Sequence, residues 1–196
     1  MNLLAKLQDR FNPIQNIMKI NAVTVFCGSK LGANPGYSLQ SQILGKGLAQ
    51  KGISLIYGGG GKGIMGAIAD ACLQEGGMVI GIIPKLLLEW EAQHEGLTEL
   101  IVTEDMHSRK LLLYDKCDAA IILPGGMGTM DELFEMLTWN NLRIHNIKVY
   151  VLNWNGFYNN LIAMLDQMET EGFLYDNWRE RFIICEDAAA ILNSFS

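Results

Sequence analysis

The chain has 196 residues, 49% of them hydrophobic and 18% charged, with a formal net charge of -6. That composition excludes a disordered chain, and the length suits one domain with a sizeable core. The acidic balance argues against a nucleic-acid binder, which carries a basic face, but allows a small anion held by backbone N–H groups and one or two cations.

Met1–Ile20 places Leu3, Leu4, Leu7, Phe11, Ile14 and Ile17 among Lys6, Asp9 and Arg10. These charges interrupt the unbroken apolar stretch that a signal peptide or membrane span requires. Residues 1–20 therefore read as an amphipathic helical segment packing on the domain or on a partner subunit, and residues 21–196 as a single domain. No membrane association is expected, and the expected location is cytoplasmic.

From Ala22 onward, apolar β-branched runs alternate with helix-length amphipathic stretches. The runs are Ala22–Cys27, Ile53–Tyr57, Met78–Ile83, Leu100–Thr103, Ala119–Leu123, Lys148–Leu152 and Phe182–Cys185. Near-continuous apolar runs suit parallel strands buried on both faces. Between them, Tyr37–Gln50, Ile64–Gln74, His107–Lys116, Met130–Leu142 and Phe157–Thr170 are long enough for crossover helices, and Leu44 and Leu48 stand four apart as one helix face requires. The alternation predicts an open, doubly wound, mainly parallel α/β sheet.

Three glycine clusters directly follow strands: Cys27-Gly28-Ser29, Gly58-Gly59-Gly60-Gly61-Lys62-Gly63 and Pro124-Gly125-Gly126-Met127-Gly128-Thr129. Such a sheet binds ligands outside the carboxyl ends of its strands, and glycine lets main chain approach a phosphate closely. One such loop is most simply a tight turn; three on one edge point to a nucleotide or related phosphate. The second cluster matches the dinucleotide fingerprint formally, but the next strand ends Gly81-Ile82-Ile83-Pro84, without an acidic residue for the ribose. The P-loop pattern fails as well, because Gly63 follows Lys62 where Ser or Thr is needed and Ile56 stands where Gly is needed. Cys27, Cys72, Cys117 and Cys185 form no C-x-x-C and have no His at ligand spacing, so neither a metal site nor a disulfide framework is expected.

The most specific segment is Pro124–Glu132. Its glycines turn N–H groups inward, Thr129 reads as the N-cap of the next helix, and the positive end of that helix favours an anion. Glu132 then falls in the first turn, where it either complements the helix dipole or contacts a ribose. In Met106-His107-Ser108-Arg109-Lys110, two cations begin a helix, which the dipole disfavours. Arg109 is suited to fork onto a phosphate or a departing base and Lys110 to supply a point charge, against the simpler reading of a solvated face. His94, His107 and His145 and the four tryptophans read as structural.

With these residues in view, the sequence resembles the "lonely guy" family of cytokinin-activating phosphoribohydrolases, long labelled possible lysine decarboxylases. The resemblance rests on P-G-G-x-G-T-x-x-E at Pro124–Glu132 and M-x-x-R-K at Met106–Lys110. It extends from Cys27-Gly28-Ser29 through Tyr57-Gly58-Gly59-Gly60 and Gly63-Ile64-Met65-Gly66 to Thr138-Trp139. It implies a Rossmann-like three-layer αβα fold, a homodimer or an assembly of dimers, and release of a base from a nucleoside 5′-monophosphate such as AMP or isopentenyladenosine monophosphate. It makes Arg109 and Glu132 the catalytic pair and assigns Lys110, Gly125, Gly126, Met127, Gly128, Thr129, Met130 and Asp131 to substrate. Glu91 and Thr138 also line the site, with Glu89 competing for the place of Glu91. Gly28, Ser29, Gly58, Gly59 and Gly60 are further loop candidates. No metal or organic cofactor is implied, and no sequence pattern selects a lysine for the pyridoxal phosphate that decarboxylation would need. Two other readings stand beside it: a non-catalytic carrier of a nucleotide-like cofactor such as molybdenum cofactor, and a broader purine or pyrimidine nucleotide hydrolase.

Overall fold

The computed structural model describes residues 19–88 and 93–195. Nearly all of the expected N-terminal segment, and both Glu89 and Glu91, lie outside the described residues. Seven strands form one sheet: β1 (Ala22–Phe26), β2 (Ser54–Tyr57), β3 (Val79–Pro84), β4 (Glu99–Thr103), β5 (Ala119–Ile122), β6 (Lys148–Leu152) and β7 (Phe182–Cys185). Their order is β4-β3-β2-β1-β5-β6-β7 and every pairing is parallel. All seven expected strands are present, each within two residues of its expected ends. Central β5 is buried at every position, whereas edge strand β4 shows Glu99 and Val102 to solvent.

Among the described residues, seven α-helices cover the sheet: α1 (Pro35–Gln50), α2 (Gly63–Gln74), α3 (Lys85–Leu88), α4 (Met106–Asp115), α5 (Met127–Asn141), α6 (Asn159–Thr170) and α7 (Ala188–Asn193). The short α3 and α7 were not expected from sequence. Because successive strand residues face opposite ways, Val23, Val25, Leu55 and Tyr57 pack under α1, α2 and α7, with Leu44, Leu48, Ile68 and Ile191. Phe26, Ile56, Ile82 and Ile122 face the other side and pack with Leu113, Leu133, Met136 and Leu165 of α4, α5 and α6. The result is the three-layer Rossmann-like architecture. No helix among the described residues is long and apolar enough to cross a membrane.

Helix starts follow local chemistry. Asn34 caps α1 by accepting from the Gly36 N–H, with Pro35 at the first helical position, and the Asp105 carboxylate caps α4 by accepting from the Ser108 N–H at 2.7 Å. At α5 the structure corrects the sequence reading. This helix begins at Met127, not Met130; its N-cap is Gly126, no side chain caps it, and Thr129 is buried inside its first turn. Glu132 consequently sits in the second turn. The chain runs one way across the sheet from β1 to β4 and resumes on the other side at β5, so the topological switch point lies between the carboxyl ends of β1 and β5. That is where such sheets take ligands.

Candidate active site

The three glycine clusters converge on this edge and bind one another. The Gly28 N–H donates to the Pro124 carbonyl at 3.1 Å, and the Gly28 carbonyl accepts from the Ile64 N–H at 3.1 Å. A Cβ on Gly63, whose φ is +63°, would lie 2.3 Å from the backbone of Ser29, and one on Gly125 would lie 2.1 Å from Thr129 Oγ1. These glycines serve the fold: Gly63 lets its loop touch that of Ser29, and Gly125 leaves room for the buried Thr129 side chain and for Gly28 N, which would lie 3.0 Å from such a Cβ.

Gly58 has a different function. Arg109 is buried, its Nε donates to the Ile82 carbonyl at 3.1 Å, and a Cβ on Gly58 would lie 2.6 Å from its Nη2. The end of β2 is therefore hollowed to seat a guanidinium delivered by α4, which β3 orients. Gly59 and Gly60 are buried too, and they hold the chain beyond residue 92: His94 N–H donates to Gly59 O at 3.0 Å, and Gly60 bridges Gln93. In the structure these three glycines are in contact with protein. Gly58→Ala should displace the guanidinium, the flexible partner, more than the backbone. The expected outcome is a fall in kcat/KM of at least about 10-fold, since small misplacements of reacting groups are costly. The circular dichroism spectrum should be unchanged; an alanine variant of wild-type efficiency would show that the arginine seat does not matter.

Arg109 Nη1 lies 3.6 Å from Glu132 Oε1, with both side chains about one-tenth exposed. Among the described residues they are the two charged ones in the set of buried polar groups. Burial pushes Glu132 up to about 7 from the usual carboxylate value of 4.5, and the nearby Arg109 and Lys110 only partly offset it. A carboxylate poised near neutrality next to a fixed cation at the switch point of such a sheet is the arrangement expected of an acid–base site. The thiol of Cys27, at the end of β1, is raised mainly by burial and also by Glu132.

Lys110, adjacent to Arg109, turns to the flank of α5. Its Nζ is 2.8 Å from Asp131 Oδ2 and 3.1 Å from Glu135 Oε2. The Tyr114 hydroxyl donates to the same Glu135 oxygen. The sequence reading missed Tyr114 and Glu135, although the spacing that marks them was visible: Lys110 and Tyr114 are four apart on α4, as are Asp131, Glu135 and Trp139 on α5. Met130 packs against the apolar layer beneath α5, and exposed Thr138 returns its hydroxyl to Phe134 O at 2.7 Å. His94 pairs with Asp70 at 2.9 Å, and Trp139 and Trp178 pack against Tyr114 and Phe182, in keeping with structural roles.

Gly126, Met127 and Gly128 are exposed, Met127 at 89%. The first intrahelical bond drawn to the N-cap runs from Met130 N–H to Gly126 O at 3.1 Å, so the N–H groups of Met127, Gly128 and Thr129 precede it. A Cβ on Gly126 or Gly128 would meet nothing within 4 Å, and neither glycine has a positive φ. Nothing within the described protein requires glycine at these two positions.

Fold and site together define a Rossmann-like α/β protein with a buried Arg–Glu pair beside an uncapped helix N-terminus at its switch point. Within that class, the chain belongs to the family described as "Possible lysine decarboxylase", whose model matches residues 65–195. It is 43% identical over 167 residues to a cytokinin riboside 5′-monophosphate phosphoribohydrolase of Rhodococcoides fascians, covering 85% of this chain and 84% of that one. It is also 40% identical over 174 residues to a cytokinin riboside 5′-monophosphate phosphoribohydrolase of Arabidopsis thaliana, covering 89% and 81%. Among solved structures, the molybdenum cofactor carrier protein of Chlamydomonas reinhardtii superposes with a TM-score of 0.67 at 19% identity, covering 88% and 94%. At that identity the likeness concerns the fold alone.

Proposed function

We propose that this protein hydrolyses the N-glycosidic bond of nucleoside 5′-monophosphates, AMP or isopentenyladenosine monophosphate among them, releasing the free base and ribose 5-phosphate. The observation that carries this reading is the pairing of buried Glu132 with Arg109 next to two glycines that nothing among the described residues requires. Glycines without an internal purpose, at the positive end of a helix, suit the close approach of a phosphate to main chain. Relatives at about 40% identity that bear the phosphoribohydrolase name support it.

In the proposed reaction the C1′–N bond breaks and its electron pair leaves with the base. A water oxygen forms the new C1′–O bond, and the water proton ends on the base. Positive charge on the ribose at the transition state is answered by the Glu132 carboxylate, which also orients the water. Arg109 holds the ionised carboxylate in place and faces the departing base or the phosphate. Preorganised charge in a site sheltered from water is worth far more than in solution. Metal-ion chemistry is not part of this scheme. The test is to incubate the protein with a panel of purine and pyrimidine nucleoside monophosphates and assay ribose 5-phosphate. Turnover of at least one is expected. Tight nucleotide binding without turnover of any would favour the carrier reading.

The proposal includes a cytoplasmic location and a homodimer or assembly of dimers, in line with the family resemblance. Light scattering at micromolar concentration should give at least twice the chain mass of 21.8 kDa, and a clean monomer would contradict it.

A further inference from the structure

Helices α4 and α5 carry a polar ladder beside the Arg109–Glu132 pair. Lys110 and Tyr114 on α4 face Asp131 and Glu135 on α5, and a single oxygen of Glu135 accepts both from the Lys110 ammonium, at 3.1 Å, and from the Tyr114 hydroxyl. Tyr114 is fixed in turn: it is 2% exposed and its ring meets Trp139 edge-on at 5.1 Å and Phe26 at 6.1 Å. The Glu135 and Lys110 side chains are only 24% and 17% exposed. Apolar side chains would join two helices at this depth at least as well, because partly buried ion pairs add little net stability. The ladder is better explained by what it does to its neighbours.

We propose that Glu135, anchored by Tyr114, is a positioning residue of the site: it holds the Lys110 ammonium against Asp131, so that of these two cations Arg109 is the one within ion-pairing distance of the Glu132 carboxylate. This rests on the proposed function in that Glu132 is the carboxylate that answers the reaction. The groups facing Glu132 are Arg109 and Lys110 from α4, Asp131 and Glu135 from its own helix, and the Cys27 thiol from the end of β1. Replacing Glu135 by Gln keeps its shape and an oxygen to accept from Tyr114, but removes one negative charge and leaves Lys110 paired with Asp131 alone of the two carboxylates, free to shift toward Glu132. Both changes favour the ionised form of Glu132, so their signs agree.

The test measures Glu132 directly. In protein labelled with 13C at glutamate side-chain carboxyls, the Glu132 resonance is assigned by its loss in Glu132→Gln and titrated in wild type, Glu135→Gln and Glu135→Asp. Glu135→Gln should lower the Glu132 midpoint by at least about 0.5 pH unit. Glu135→Asp, which keeps the charge, should stay within about 0.2 unit of wild type. The acid limb of kcat, measured on AMP and isopentenyladenosine monophosphate, should move with the resonance in each variant. An unmoved midpoint in Glu135→Gln, with Tm changed or not, would overturn the proposal and make the ladder a helix clamp. Absence of turnover in the wild type would instead sink the functional reading, and the carboxyl titration would still decide the role of Glu135.

Discussion

Glu132→Gln is expected to lower kcat on a nucleoside 5′-monophosphate by at least about 10²-fold, the scale of removing one preorganised transition-state contact, and to leave nucleotide affinity nearly unchanged. The amide keeps the volume and the hydrogen-bonding reach of the carboxylate beside Arg109 and loses only the charge that opposes the positive ribose. The pH dependence follows from burial. Glu132 is held up near 7 and, in the proposed reaction, acts ionised, so wild-type kcat should fall as pH drops through about 7, close to tenfold per unit below it. The variant should lack that limb. Stability runs the other way. A carboxyl raised on folding keeps a proton that the unfolded chain releases. Its contribution is full below the ordinary value of 4.5 and is lost as pH rises through about 7. The Tm of wild type should therefore decline relative to that of the variant between about pH 5 and pH 8. A fully active Glu132→Gln protein would move the chemistry to another carboxylate.

The 5′-phosphate is expected to have an effect of similar size. Binding energy from a group that does not react can position the bond that does, so removing the phosphate should lower kcat as well as affinity. Adenosine compared with AMP, and isopentenyladenosine compared with its monophosphate, should each differ in kcat/KM by at least about 10²-fold, or about 2.7 kcal/mol. Gly128→Ala separates ligand from fold. Its Cβ would enter open space in the first turn of α5, so the protein should keep or slightly raise its Tm, given that alanine favours helix by up to about 1 kcal/mol over glycine. Turnover of the monophosphate should fall while that of the nucleoside barely changes. Equal efficiencies within each substrate pair would reduce this loop to a turn.

The strands were legible because a parallel strand buried on both faces leaves an unbroken apolar run, as Ala119–Leu123 does. The start of α5 was not. Gly126-Met127-Gly128 has poor helix propensity and reads as loop, yet Gly28 and Gly63 draw the neighbouring loops together around Pro124 and Gly125 and fix where this helix begins. Glu132 and Arg109 stood out through motif resemblance, and their partnership did not depend on spacing that could be counted along the chain.

By itself the sequence determined what local chemistry controls: seven largely apolar strands, the principal helices and a glycine-rich edge. Only the tertiary structure decided how the glycines divide their work. Gly58 yields its space to Arg109, Gly63 and Gly125 let loops meet, and Gly126 and Gly128 face open space. It likewise raised Glu132 toward neutrality and set Lys110 against Asp131 and Glu135. The physical reason is that propensity and capping act over a few residues. Desolvation, ion pairing and the room left by a missing side chain depend on elements far apart in the chain, and these come within reach only when the sheet orders its strands.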